Sequence, residues 1–353
     1  MKLLKKLYQI HSESGHEKKI RKFIRWWINN NVDGPFEMWT DKHGNLYVKK
    51  GESETYPCVV AHMDQVQRIH SKDFNALEAG SVIIGYSAKN RRQEGLGADD
   101  KNGVWVALQC LQKYDNIKVA FFVEEEIGCI GSSATDMEFF SDVRFVVQCD
   151  RRGNADFIST AGWTDLCSQE FIDAIGIEDF GYKEEKGMLT DVLTLKENGL
   201  EVSCCNLSCG YYEPHTDHEF TNTSDLIKCL NLVYHIIDTC VDVYPHICSC
   251  SYNTGLVSKK YYDFYEGLWV DYYDEIFELL SMYPDMSFSE VLSALKSSQE
   301  DNQFINEDDI RRAYFEARYD VHSQLISGYK YADLVKDDNK VEEPVASNEG
   351  AIR

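Results

Sequence analysis

Three apolar runs of this chain stop at residues that bind metals or exchange protons. Residues 57–61 stop at His62, residues 118–123 at Glu124-Glu125-Glu126, and residues 144–149 at Asp150. Short runs rich in β-branched and aromatic residues read as buried strands. A further run at 202–207 and a strand at 46–49, entered from the turn Asp41-Lys42-His43-Gly44-Asn45, extend the pattern. Residues 104–111 read as a buried helix. Strands alternating with helices predict an α/β fold, a mostly parallel central sheet flanked by helices. Such sheets bind ligands outside the carboxyl ends of their strands, which is where the three runs stop.

The first thirty residues read as mostly helical. Ser14 and Glu17 form a capping-box pair ahead of Ile20, Phe23, Ile24 and Trp27 on one face. Beyond residue 255 the pattern becomes helical throughout. Phe264, Leu268, Tyr272, Ile276 and Leu280 mark one helix, Ser287 with Glu290 caps a second through Val291, Leu292 and Leu295, and Ile310, Tyr314, Ala317, Val321 and Leu325 mark a third. The expected division is a catalytic domain over 1–255, a helical appendage over 256–335 and a disordered tail over 336–353, where no apolar face remains.

Charge narrows the function. The net charge of −23 argues against nucleic acid, whose phosphates need a basic surface. Residues 1–50 hold 11 Lys/Arg against 5 Asp/Glu, whereas residues 261–353 hold 8 against 21. No apolar run is long enough to span a bilayer. The basic start, Met1-Lys2-Leu3-Leu4-Lys5-Lys6, lacks the apolar segment of a signal peptide, so a cytoplasmic protein is expected, with a monomer favoured by its acidity. The chain has 12 cysteines, many in apolar runs (Cys58, Cys110, Cys149, Cys204, Cys205), where a reduced thiol packs as a small hydrophobe. Cys248-Ser249-Cys250 near His246 reads as ordinary core cysteine.

The polar stops gain meaning together. Taken singly, His62 with Asp64 is a histidine near an aspartate, Asp99 an N-cap, Glu124–Glu126 a solvated acidic turn, and Asp150 the ion-pair partner of Arg151 and Arg152. Taken together, His62, Asp99, Glu126, Asp150 and His215 offer nitrogen and oxygen ligands suited to two divalent ions, Zn²⁺ first and Mn²⁺ or Co²⁺ as alternatives. Three adjacent carboxylates repel one another, and burying them needs a cation. Glu126 is assigned as a ligand and Glu125 as general base, Asp99 as the bridge, and Asp64 as the partner that orients His62. His218, three residues after His215, competes with it.

The ordered set His62-x-Asp64, Gly97-Ala98-Asp99-Asp100-Lys101, Glu125-Glu126-Ile127-Gly128, Asp150-Arg151-Arg152-Gly153 and Pro214-His215-Thr216 resembles the co-catalytic di-zinc exopeptidases, the clan of peptidase T, glutamate carboxypeptidase and the bacterial leucyl aminopeptidases. The likeness runs over residues 1–240 and includes the stretch from Ser12 to Glu17. It implies one metal on His62 and Asp150, another on Glu126 and His215, Asp99 between them, and Glu125 and Asp64 in catalytic roles. Peptidase T and the carboxypeptidases carry a second domain between the last aspartate and the last histidine. Here 64 residues separate Asp150 from His215, room for about two βα units, so the layout resembles the single-domain aminopeptidases. Met188-Leu189-Thr190-Asp191-Val192 resembles their Thr-Asp step.

The expected function is metal-dependent hydrolysis of short peptides as an aminopeptidase. An N-acyl amino-acid deacylase or carboxypeptidase, with Arg151 or Arg152 gripping a substrate carboxylate, is the second reading. An inactive metal-binding scaffold is the third.

Overall fold

The computed structural model describes residues 1–67, 70–247, 276, 279–280, 286–298 and 314. The chain divides into two compact units, Met1–Cys250 and Ser251–Arg353.

Two helices, α1 (Lys2–Tyr8) and α2 (Lys18–Asn31), open the first unit. Helix α2 buries Ile20, Ile24, Trp27 and Ile28 on one stripe. The expected capping box does not form. Ser14 Oγ donates to Asp64 at 2.8 Å, and the Glu17 carboxylate accepts from the backbone N–H of Gly15 at 2.8 Å and Glu124 at 3.2 Å. Both side chains are drawn to the loops beside His62 instead.

The elements that follow are β1 (Phe36–Thr40), β2 (Leu46–Lys50), β3 (Tyr56–His62), β4 (Phe74–Ala79), β5 (Val82–Ser87), β6 (Arg92–Glu94), α3 (Ala98–Lys113) and β7 (Ile117–Phe122). Then come α4 (Ile130–Ser133), β8 (Val143–Arg151), β9 (Asp156–Ala161), β10 (Thr164–Asp165), α5 (Gln169–Ile175), β11 (Lys183–Gly187) and α6 (Asp191–Glu197). The unit's last elements are β12 (Cys204–Ser208), β13 (Tyr211–Tyr212), β14 (Phe220–Asn222) and α7 (Thr223–Thr239).

The large sheet runs β1-β2-β7-β3-β8-β12-β9-β10, with β11 beside β9. Its centre, β7-β3-β8-β12, is parallel as expected. The flanks bring antiparallel pairs, β1 with β2, β2 with β7, β12 with β9 and β9 with β10. Strands β3 and β7 are buried along their whole length. Alternation splits their side chains between two cores. Val59, Ala61, Val119 and Phe121 pack with α1, α2, α3 and α7, while Cys58, Val60, Ala120 and Phe122 pack with Phe139, Phe140 and α6.

A second, antiparallel sheet, β13-β14-β5-β4 with β6 on β5, has no counterpart in the sequence reading. The residues between Asp150 and His215 form β9 to β13 and join these two sheets. The ten described cysteines are buried and outside disulfides; Cys248 and Cys250 lie outside the described residues.

The second unit contains helix α8 (Phe288–Ser298). Here the capping box does form. Ser287 donates from both N–H and Oγ to the Glu290 carboxylate at 2.8 and 2.6 Å, and the Glu290 N–H returns to Ser287 Oγ at 3.4 Å. Ile276, Leu280, Val291, Leu295 and Tyr314 are buried together. The other residues expected to be helical around 264–280 and 310–325, and the tail 336–353, lie outside the described residues. No helix among the described residues is long and apolar enough to cross a membrane.

Candidate metal centre

The parallel centre of the large sheet delivers two of the expected residues directly. His62 is the last residue of β3, and Asp150 lies near the end of the adjacent β8. The register pairs Val60 with Gln148, two residues short of each. His62 is fully buried, and its Nε2 lies 3.2 Å from Asp99 Oδ1, 3.6 Å from Asp150 Oδ1 and 3.8 Å from Glu125 Oε2. Its other nitrogen, Nδ1, faces Asp64 Oδ1 at 3.2 Å.

Asp99 enters from the start of α3, where it and Asp100 keep non-helical dihedrals and the peptide bond between them is cis. Its second oxygen, Oδ2, lies 3.3 Å from His215 Nε2. Asp100 faces the other way, accepting from the backbone N–H of His62 at 3.2 Å and Gly103 at 2.9 Å.

The acidic turn after β7 separates its three carboxylates. Glu124 takes a left-handed conformation, φ 55°, which turns the chain sharply. The N–H groups of Glu125 and Glu126 then point at Asp64, which accepts them at 3.0 and 3.1 Å. Asp64 therefore fixes this turn as well as facing His62. Glu126 Oε2 meets His215 Nε2 at 3.1 Å, while its Oε1 is buried with no hydrogen-bond partner. Glu125 accepts from Cys129 Sγ at 3.4 Å.

His215 lies between β13 and β14 with φ 64°. Its side chain is 33% exposed. His218 is exposed and joins no such cluster. Asp150 does not pair with the neighbouring arginines: Arg151 reaches Asp156 at 3.3 Å, and Asp150 accepts from Tyr211 OH and Gln148 Nε2, both at 3.2 Å.

The result is two groups of three, each with ligand-type atoms close enough to share an ion: His62, Asp99 and Asp150, and Asp99, Glu126 and His215. Asp99 belongs to both. Electrostatics show what the set lacks. Burial raises Glu125, Glu126 and Asp150, and neighbouring carboxylates raise them further. Asp99 is the exception: burial opposes its ionisation, but His215 and His62 outweigh it and hold the carboxyl low. A buried acceptor with no partner and a surplus of carboxylates over imidazoles both fit divalent cations.

Four further residues belong to the surroundings. Asp191 accepts from Ser132 Oγ at 2.6 Å and Gln148 Nε2 at 3.2 Å, so Gln148 links it to Asp150. Thr190 donates to Gln148 Oε1 at 2.6 Å. Glu219 is fully buried beside Asp99. The Thr190-Asp191 step was marked by resemblance; Gln148 and Glu219 carry no motif that would mark them.

No protein-family model matches the sequence, and no curated protein matches it. Solved structures do. The aminopeptidase PepT from Bacillus cereus superposes with a TM-score of 0.56 at 15% identity, over 68% of this chain and 98% of that one. The chain shares that aminopeptidase's fold. The aminopeptidase APDkam598 from Desulfurococcus kamchatkensis gives 0.53 at 17%, over 67% and 93%. A tripeptidase from Staphylococcus aureus gives 0.53 at 16%, over 67% and 96%.

Proposed function

We propose that the chain is a two-metal exopeptidase that removes the N-terminal residue from short peptides. The observation that carries this reading is the pair of ligand groups sharing Asp99, with Glu125 beside them. His62 and Asp150 would hold one ion, Glu126 and His215 the other, and Asp99 would bridge. Zinc suits this donor set, with manganese or cobalt as substitutes. When bound, a metal pair supplies Lewis acidity at a carbonyl and eases deprotonation of a water.

The chain supplies the rest. Glu125 is the carboxylate without a ligand's task, and it takes the proton from the attacking water and passes it to the leaving amine. Its burial raises its proton affinity, which favours that transfer. Asp64 faces Nδ1 of His62 at 3.2 Å, which leaves Nε2 as the nitrogen to ligate, and through the N–H groups of Glu125 and Glu126 it holds base and ligand in register.

Two observations favour an aminopeptidase over a deacylase or carboxypeptidase. Residues 151–214 supply strands β9–β13 to the two sheets. Arg151, one of the two arginines next to Asp150, is engaged with Asp156. The solved structures that share this fold include two aminopeptidases and a tripeptidase.

The test is digestion of a peptide library by zinc-loaded protein, with free and N-acetylated peptides side by side. Cleavage confined to the free series supports the proposal. Cleavage confined to the blocked series transfers it to the deacylases, and cleavage of neither, in protein that holds two metals, points to a scaffold.

A further inference from the structure

Asp99 serves both ligand groups, yet helical hydrogen bonding does not fix it, because its dihedrals and those of Asp100 are non-helical. Its backbone N–H is held from elsewhere. Glu219 Oε1 accepts it at 3.1 Å, while Oε2 accepts the N–H of Gly97 at 2.6 Å. Glu219 is fully buried, four residues beyond His215 on the same loop.

A ring of side chains closes behind this contact. Gln67 Nε2 donates to Glu219 Oε2 at 3.3 Å, Gln65 Nε2 donates to Gln67 Oε1 at 3.0 Å, and the buried Lys101 ammonium donates to Gln65 Oε1. The ring thus returns to the start of α3, two residues past Asp99. Glycine makes the close approach possible. Gly97 has φ 63°, and a Cβ there would meet Gln65 and Lys101 Nζ under 3.0 Å; a Cβ on Gly95 would meet Gln67 Nε2 at 2.5 Å and Thr216 O at 2.7 Å.

We infer that Glu219 is a positioning residue that locks the His215 loop to the backbone of Asp99, so that both metal sites depend on it. This rests on the two-metal reading above. One loop then supplies a ligand, His215, and the hold on the ligand shared by both ions. A carboxylate is suited to the task because both its oxygens accept. A glutamine of the same shape would turn an NH₂ donor toward one of the two backbone N–H groups.

The experiment is a zinc titration of the metal-free full chain by calorimetry, with Glu219→Gln beside wild type and Asp150→Asn as the local control. Cobalt-substituted visible spectra serve as a second readout of ligand geometry. In Glu219→Gln both dissociation constants should rise by about 10–100-fold, the usual penalty for losing a partner outside the ligand shell, and the cobalt spectrum should change. Asp150→Asn should weaken one binding step far more than the other. Wild-type constants and spectrum in Glu219→Gln, or weakening of a single step, would overturn the inference. Should that variant not fold, Glu219→Asp, whose carboxylate is withdrawn by one methylene, is titrated under the same criterion. A wild-type chain that takes up no zinc removes the metal reading itself. Two tightly bound ions without peptide cleavage remove the peptidase reading and leave the role of Glu219 standing.

Discussion

The two halves of the centre are made of different material. His62 and Asp150 stand at the ends of adjacent parallel strands, with side chains 0% and 9% exposed. Glu126 and His215 stand on loops, and the His215 side chain is 33% exposed. The first half inherits its geometry from a sheet whose strands are buried on both faces. The second depends on a turn held by Asp64 and a loop held by Glu219. A sheet edge is set by many cooperating hydrogen bonds, a loop by a few. The strand half is therefore the better braced, and the loop half is the one that reaches solvent, through His215.

The shared residue gives the largest effect. If Asp99 bridges, Asp99→Ala should abolish uptake of both ions and reduce peptide cleavage to background. Elemental analysis showing one retained ion would break the symmetry of the two groups and assign Asp99 to one of them. Glu125→Gln comes next: turnover should fall by about 10²–10⁴-fold with metal content unchanged. Loss of metal alongside activity would move Glu125 among the ligands, and full activity would dismiss it as the base.

A smaller effect sharpens the contrast between halves. Under a competing chelator, metal should leave in two phases, the His215 half first. His215→Ala should keep the slowly released ion, and His62→Ala should lose it. Identical release of both ions would show that strand and loop hold equally well.

The smallest effect lies at the base of the loop that leads to Asp99. His70 stacks on Phe74 at 3.9 Å between ring centroids, and its Nε2 lies 2.9 Å from the carbonyl of Gly95. Burial, then Lys101 and His11, lowers its pKa from 6.5 to about 3. The folded chain keeps His70 neutral where the unfolded chain protonates it. Its contribution to stability is therefore complete above about pH 6.5 and declines as pH falls toward 3. His70→Gln should flatten that part of a plot of denaturation midpoint against pH. An unaltered slope would place the acid sensitivity in the carboxylates of the centre.

The strand half was the legible half. His62 and Asp150 each end an apolar run, and burial of the run dictates where the polar stop emerges. Glu125 and Glu126 were legible as a pair for the same reason, although nothing in the sequence showed that a left-handed Glu124 would split the acidic triplet. The Ser287–Glu290 cap formed from the pair itself, each residue's side chain reaching the other's backbone or side chain. The equivalent Ser14–Glu17 pair did not, because Asp64 and the Glu124 N–H offered partners across the fold. The small sheet escaped notice because β6, β13 and β14 are only two or three residues long and β4 is largely exposed. Glu219 escaped because what it grips is backbone more than a hundred residues away, and peptide N–H groups leave no mark in a sequence.

The buried cysteines have a practical consequence. Each of the ten described thiols is shielded from water, and for most of them burial raises the pKa, which disfavours the reactive thiolate. A thiol-directed reagent can reach them only while the surrounding structure is open. Labelling therefore works as a clock for local opening, read residue by residue with mass spectrometry. Cys129, whose sulfur touches Glu125, carries that clock to the proposed base itself: the rate at which it is alkylated with and without bound zinc measures how often the acidic turn lets go.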